Sequence, residues 1–262
     1  MSASLDATSF DLAAAAFIAS SKREPGAILR QQAKLFVKDV VHFTPPFPKN
    51  AISASLNEHR KVGLRAVARD IRKVFMPASK LKMLATPENP KLAQKILGYI
   101  RSGNWTKLNG ILPHAAPRLQ GMITAGHFIR SATLNIHNSR RGVNGRVVGG
   151  RRIVVMNASS INAVLKTQQA KVGTAKAGWM AAARHFQLTL PGWISRNSTA
   201  GYCLDRSTST LTPFIEIANL VKDAGVYESN VHIVSRALAQ RARAMTKQLE
   251  HWQAKAAAQF NR

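Results

Sequence analysis

Few residues of this chain are spaced for catalysis or metal binding. The eight histidines are scattered and form no HxxxH or HExxH spacing, and Cys203 has no CxxC partner. No metal site is therefore predicted. Cys203 could act as a nucleophile only beside a base in an electropositive pocket, and the alternative is an ordinary buried or half-buried thiol. We expect a protein that is not an enzyme. A pocket joining a histidine, Cys203 and an acid such as Asp205 or Glu216 would reverse that expectation.

One long stretch of the chain contains no acidic residue. Between Glu88 and Asp205 there are sixteen lysines and arginines but no Asp or Glu. Mechanisms that use paired carboxylates, or a histidine oriented by a carboxylate, would have to take their acids from the flanks. A segment with charges of one sign repels itself unless it faces something negative, so this stretch favours a polyanionic partner.

The centre of the acid-free stretch, residues 138–152, is rich in glycine and arginine. It matches neither a Walker A loop nor a dinucleotide-binding fingerprint, so no cofactor is predicted. Arginines beside glycines can bring their guanidinium groups close to phosphates or carboxylates. We expect contact with DNA, without base-specific reading, or with an acidic protein neighbour; a solvated basic loop is the remaining alternative. The candidate contact residues are Arg140, Arg141, Arg146, Arg151 and Arg152.

The composition limits the number of domains, the kind of partner and the cellular compartment that we expect. A chain of 262 residues with 45% hydrophobic content can form one or two domains with a real core. The formal net charge of +26 favours nucleic acid, acidic protein or anionic membrane as partners. A single cysteine excludes an internal disulfide framework and fits a reducing compartment. The apolar run 12–19 follows acids and is too short to cross a bilayer, so we expect no signal peptide, no membrane segment and maturation in a cytoplasm.

Apolar periodicity and proline positions predict most of the elements. The predicted helices are 9–19 within an N-terminal arm (1–24), 27–43, 57–75 with a basic face of Lys61, Arg65, Arg69 and Arg72, 90–101, and 157–172 continuing to about 186. Alternating or buried β-type patterns predict strands at 127–137, 151–157 and 213–219. The polar segment 197–209 is expected to be a loop, and 105–121 to be irregular or short-helical.

The last helix has the clearest pattern. From about Ser229 to Phe260 apolar residues alternate in threes and fours without an intervening proline or glycine. Its seam either packs on its own domain or contacts another subunit. The interface candidates are Val231, Leu238, Met245, Leu249 and Trp252.

The order of these elements predicts an α+β fold. We expect several helices and a small, mostly antiparallel sheet, with the long C-terminal helix packed on it. Residues 25–262 are expected to form a single domain that contains a large basic insertion at about 47–170.

Several stretches together resemble neck, tail-completion (head–tail joining) and minor tail proteins of long-tailed bacteriophages. The first is the helix that ends in Phe43-Thr44-Pro45-Pro46, followed by the helix from Gly63 to Phe75. The next are Val172–Ala183 and Pro191-Gly192-Trp193-Ile194-Ser195-Arg196. A strand at 214–219 then leads into a long terminal helix. The resemblance covers about half of the chain.

This resemblance implies an α+β virion subunit without catalytic residues. Such subunits form homo-oligomeric rings at the head–tail junction, beside portal, adaptor or tail-tube proteins, with DNA in the lumen. The long insertion departs from the shortest family members, in which the two proline- and tryptophan-containing stretches lie close together. The alternatives are a minor capsid protein and a sequence-independent nucleic-acid-binding protein that works outside any virion.

Overall fold

The computed structural model describes most of the chain. The described ranges are 8–21, 24–83, 90–104, 106–108, 110–111, 128–142, 147–148, 152–197, 200–209, 213–222 and 224–260. They form two compact units. The inserted unit is Leu64–Lys171, and the terminal unit combines Met1–Gly63 with Val172–Arg262. A single domain with an insertion at about 47–170 stays a prediction; the compact inserted unit described here is Leu64–Lys171.

The described helices are α1 (Thr8–Ser21), α2 (Pro25–Phe43), α3 (Leu56–Val74), α4 (Pro90–Ser102), α5 (Leu134–Ser139), α6 (Ala158–Ala170), α7 (Thr174–Ala177), α8 (Met180–His185), α9 (Gly192–Ser195), α10 (Ala224–Val231) and α11 (Ile233–Phe260). The described strands are β1 (Phe75–Pro77), β2 (Phe128–Ser131), β3 (Ile153–Asn157), β4 (Gly201–Arg206) and β5 (Phe214–Asn219). A 3₁₀ helix, Ala78–Met83, follows β1. The mixed helix-and-sheet fold confirms the predicted α+β class.

Local sequence signals explain the ends of α2 and α3. Pro25 stands at the start of α2, where its missing N–H is not needed. The helix stops before Pro45 and Pro46, which cannot continue it. Ser55 and Glu58 form a reciprocal cap at the start of α3: the Ser55 N–H donates to Glu58 Oε2 at 2.7 Å, and the Glu58 N–H donates to Ser55 Oγ at 3.3 Å. Both helices confirm the prediction.

The inserted unit contains a parallel sheet, which corrects the prediction of a mostly antiparallel one. Its strand order is β1-β3-β2, and both pairings with β3 are parallel. The predicted strand 127–137 is observed only over Phe128–Ser131, because the chain then turns into α5. The Thr133 side chain caps α5 by accepting the Ile136 N–H. Parallel neighbours need a crossover rather than a hairpin turn, and α5 lies within that crossover.

The core of the inserted unit joins α3, the sheet and α6. Helix α3 contributes Ile71 and Val74, and its continuation into β1 contributes Phe75. Strand β3 contributes Ile153 and Val155, with Ile161 and Val164 of α6 behind them. The predicted helix 57–75 includes Phe75, the first residue of β1, because Phe75 continues the helical spacing of α3. Three residues are too few to establish a period of two.

The terminal unit contains an antiparallel hairpin of β4 and β5. The register pairs Tyr202 with Ala218, Leu204 with Glu216 and Arg206 with Phe214. Strand β4 lies within the segment that was predicted as a loop, so that prediction is wrong there. Helices α2 and α8 cover the inner face of the hairpin. The buried members of this cluster are Ala33, Val37, Ala182, Ala183 and Phe186, packed against Cys203, Ile215 and Ile217.

The long C-terminal helix is present, but its main packing partners are helices. Helix α11 packs chiefly against α1 and α2, which corrects the expectation that it lies on the sheet. Met245 is buried with Phe17 and Ile28, and the rings of Phe17 and Trp252 are 5.1 Å apart. An ion pair between Asp39 and Arg241, 2.5 Å apart, joins α2 to α11.

Replacement of Gly173 by alanine tests the packing at the start of α7. Gly173 has a φ of +104°, and an added Cβ would lie 2.7 Å from both the ring and the carbonyl oxygen of Trp193. We expect Gly173→Ala to lower the free energy of unfolding by at least about 2 kcal/mol in urea denaturation. Gly192→Ala is the control, since its added Cβ meets no atom within 4 Å and should change stability by less than about 0.5 kcal/mol. Equal effects of the two substitutions would contradict this account.

Candidate nucleic-acid interface

The inserted part of α3 presents a row of cations to solvent. Arg65, Arg69, Arg72 and Lys73 are all exposed, whereas Ile71 and Val74 face the core. Residues three or four positions apart lie on the same side of a helix. Four residues of helix span about 6 Å, so positive charges recur at about that interval along α3.

Arg152 reaches the same surface through the pairing of the strands. Strand β1 follows α3 directly, and its Phe75 pairs with Ile153 of β3. Arg152, immediately before β3, therefore lies beside the end of α3. A hollow of about 370 Å³ is lined by Arg65, Ala68, Arg69, Arg72, Lys73 and Arg152.

A second hollow adjoins the first and shares Arg72 and Arg152 with it. Its volume is about 520 Å³, and it adds the exposed Lys80. Its other lining residues are Phe75, Met76, Pro77, Ser79, Ala158, Ile161 and Asn162. The linings of the two hollows contain no Asp or Glu. We call this surface, made by Arg65, Arg69, Arg72, Lys73, Lys80 and Arg152, the basic track.

The inserted unit has few acids to neutralise the basic track. Its sequence contains nineteen lysines and arginines but only two acids, Asp70 and Glu88. Asp70 is half-buried and contributes to the electrostatic environment of His137. Burial first, and then the charge of Arg141, lower the pKa of His137, which disfavours the protonated form of this buried imidazole. The surface therefore carries a large uncompensated positive potential.

The structure brings one of the five predicted arginines to this track. Arg152 lines both hollows. Arg140 lies at the end of α5, where its carbonyl accepts the Val148 N–H at 2.9 Å, and Arg141 forms an isolated antiparallel bridge with Val147. Among the described residues, Arg140 and Arg141 line neither hollow. Arg146 and Arg151 lie outside the described part of the chain. DNA or acidic-protein contact by these five residues stays a prediction.

The basic face of α3 is predictable from the sequence, but its role as a site is not. The signal was the i, i+4 spacing of Arg65 and Arg69, which is also the ordinary pattern of a solvated helix face. The proximity of Arg152, which lies 80 positions after Arg72 in the sequence, distinguishes the basic face of α3 from an ordinary solvated helix face. That proximity depends on the parallel pairing of β1 with β3.

Some of the predicted interface residues of the C-terminal seam (Val231, Leu238, Met245, Leu249 and Trp252) pack against other helices of the same chain. Met245 is 1% exposed, and Leu249 and Trp252 pack against the same cluster of α1, α2 and α11. Val231, at the end of α10, and Leu238 are half-buried. The seam thus packs on its own domain along α1. Contact of these residues with another subunit stays a prediction.

Of the residues that could support a catalytic role, Cys203 and Asp205 lie on β4, and Asp205 contacts His185. Asp205 lies 2.7 Å from His185 Nε2 and 3.5 Å from Arg30. Partial burial opposes ionisation of Asp205, but hydrogen bonds from Ser207 and His185 lower its pKa to about 2. Cys203 faces the apolar cluster under the hairpin, and burial together with the charge of Asp205 raises its pKa. A thiol held protonated in this way is a poor nucleophile.

A buried lysine joins three segments of the terminal unit. Lys176 of α7 is 0% exposed, and its Nζ donates to the carbonyl oxygens of Val41 and Thr44 at the end of α2. The same Nζ lies 3.2 Å from His59 Nδ1. Trp179 Nε1 donates to Thr44 Oγ1 at 2.8 Å. The Thr44-Pro45-Pro46 and Ala175–Trp179 stretches, distant in sequence, are therefore in direct contact.

The protonation states in this cluster depend on burial. Burial, followed by the charge of Lys176, lowers the pKa of His59 to about 4. With its proton on Nε2, a neutral His59 donates to the Ala51 carbonyl, 2.9 Å away, and accepts a hydrogen bond from Lys176 Nζ at Nδ1. Its Nδ1 also lies 3.1 Å from the Pro46 carbonyl, to which the other tautomer would donate. Burial also lowers the pKa of Lys176 to about 7. The three acceptors around Nζ match the three donors of an ammonium.

No helix among the described residues is long and apolar enough to cross a membrane. Within the same ranges, no group of three or more His, Cys, Asp or Glu residues is arranged to hold a metal ion. No protein-family model, curated protein or solved structure matches the chain.

Replacement of Lys176 by methionine tests the buried cluster. The unfolded lysine binds its proton below about pH 10.5 and the native one only below about pH 7. Because the unfolded chain alone takes up the proton in that window, the free energy of unfolding of the wild type falls as the pH decreases from 10.5 to 7. Lys176→Met should remove this dependence. It should also destabilise the protein by about 2–5 kcal/mol, since two buried carbonyls lose their donor.

Urea denaturation at pH 7, 8 and 9 measures both effects. Lys34→Met, at an exposed position of α2, is the matched control and should retain the pH dependence of the wild type. Parallel pH profiles for the wild type and Lys176→Met would contradict the assignment of this pKa.

Proposed function

We propose that this protein is a non-enzymatic structural subunit that lies against DNA through the basic track of its inserted unit. The observation that carries the proposal is the convergence of the α3 cations with Arg152 around two adjoining hollows whose linings contain no acid. Positive charge of this density stabilises contact with phosphates by releasing their counterions.

The form of the track favours a nucleic-acid backbone. Its cations recur along a helix and are exposed, so several can contact successive phosphates at once. Arginine is suited to phosphate because its planar group can donate two parallel hydrogen bonds. The sequence contains no motif for reading bases, which supports contact that is independent of DNA sequence.

The resemblance to phage proteins supplies the biological setting of the proposal. We place the subunit in the neck of a long-tailed phage virion, assembled in the host cytoplasm as a homo-oligomeric ring around the DNA path. Portal, adaptor or tail-tube proteins would be its neighbours. The contact of Thr44 with Lys176 and Trp179 supports treating the two stretches that carry the resemblance as one structural element. Electron microscopy of particles that shows no ring would overturn this setting.

The salt dependence of DNA binding tests the basic track. Simultaneous replacement of Arg69, Arg72 and Arg152 by glutamine should lower affinity for random-sequence duplex DNA. It should also reduce the slope of log K against log salt by about 3, because about 0.9 is lost per phosphate contact. Fluorescence anisotropy between about 50 and 200 mM salt measures both quantities.

A charge-matched triple on α11 provides the control. Arg243, Lys247 and Lys255 are exposed in the terminal unit, and their replacement by glutamine removes the same formal charge. We expect this control to reduce the slope by less than about 1. Equal reductions of the salt slope in the two triple variants would show that net charge alone, and not the basic track, determines DNA binding. An unchanged slope in the track triple would instead favour an acidic protein as the partner.

A further inference from the structure

The outer face of the β4–β5 hairpin exposes large apolar side chains. Helices α2 and α8 cover the inner face, but Tyr202, Leu204 and Phe214 on the outer face are 41%, 39% and 40% exposed. Burial alternates along β4, which directs these side chains to one side. The register places Leu204 and Glu216 in the middle row, between Tyr202–Ala218 and Arg206–Phe214. A concentrated apolar patch of this kind is typical of an interaction surface.

This face is also nearly neutral, unlike the rest of the chain. Residues 200–222 contain two acids and two bases, whereas the whole chain carries +26. Two copies repel each other over most of their surfaces, and a locally balanced face is where that repulsion is smallest. The charges of the outer face are Arg206 and Glu216. Arg206 lies 5.6 Å from the ring centroid of Phe214, and the Tyr202 hydroxyl donates to Glu216.

We propose that this outer face pairs with the same face of a second copy of this chain. A two-fold contact joins identical surfaces, so the surface must offer complementary groups to itself. This one does, because each copy brings one cation and one anion beside the central Leu204. Across the contact, Arg206 of one copy pairs with Glu216 of the other, beside the apolar side chain of Leu204.

The pairing goes beyond the proposed function and does not depend on DNA. It uses a surface different from the terminal seam, in which Met245 is already covered by α1 and α2 within the chain. A two-fold contact by itself produces a dimer. A ring would need a second, different contact.

A charge swap between Arg206 and Glu216 tests the proposal. Sedimentation velocity of nuclease-treated protein at about 0.3 M salt, where charges act within less than about 8 Å, should show a reversible dimer. Arg206→Glu alone and Glu216→Arg alone should each weaken dimerisation by at least about tenfold, because each opposes like charges across the interface. The double variant should recover the wild-type dissociation constant to within about threefold.

Hydrophobic variants give an independent measurement. Leu204→Ser should also weaken the dimer at least about tenfold. Ile52→Ser changes a side chain that is 44% exposed elsewhere in the terminal unit and should leave the dimer unchanged. A wild type that stays monomeric at every concentration, or single variants that dimerise normally, would overturn the proposal. A double variant that stays monomeric would also overturn it.

The DNA experiment remains separate. Monomeric variants of the outer face should keep the salt slope of the wild type, since the basic track is unchanged. Loss of dimerisation with an intact slope thus supports the dimer alone. A wild-type monomer that binds DNA through the track overturns the dimer and leaves the proposed function standing.

Discussion

Lys176 is the constraint on which the terminal unit depends. A buried ammonium is costly unless hydrogen bonds replace its hydration. The acceptors of Lys176 are backbone carbonyl oxygens at the end of α2. Pro45 and Pro46 end α2, and the last carbonyls of a helix lack intrahelical donors. Lys176 donates to those of Val41 and Thr44. The negative end of the helix dipole stabilises the same charge. The lysine and the helix end thus satisfy each other's polar groups.

The distribution of acids explains why the positive charge concentrates in one unit. Ten of the twelve acids belong to the terminal unit. Two of them contact cations of the same unit: Asp39 pairs with Arg241, and Asp205 contacts Arg30 and His185. The inserted unit lacks this internal balance, and most of its cations within the described ranges are exposed. Their mutual repulsion disfavours the compact state, and a bound polyanion relieves it.

Particular elements show where sequence reasoning succeeded and failed. Helices α2, α3 and α11 were predictable because long apolar periods and prolines mark them. Residues 134–137, the end of the predicted strand 127–137, alternate Leu134 and Ile136 with polar residues but belong to α5. In α5 both side chains pack against the core of the inserted unit. Strand β4 is not predictable from the pattern because its inward positions are Gly201, Cys203 and Asp205, so the usual alternation of large apolar inward and polar outward residues is absent.

The sequence by itself determined the charge imbalance, the helix ends and the faces that each helix buries. These properties depend on residue type and on spacing within one element. The tertiary structure alone decided which distant elements meet. Arg152 joins the cations of α3 because β1 and β3 pair in parallel, and Lys176 reaches Thr44 because α7 packs at the end of α2. An apolar pattern states that a face must be covered, but many partners could cover it. Only packing of the whole core selects among them.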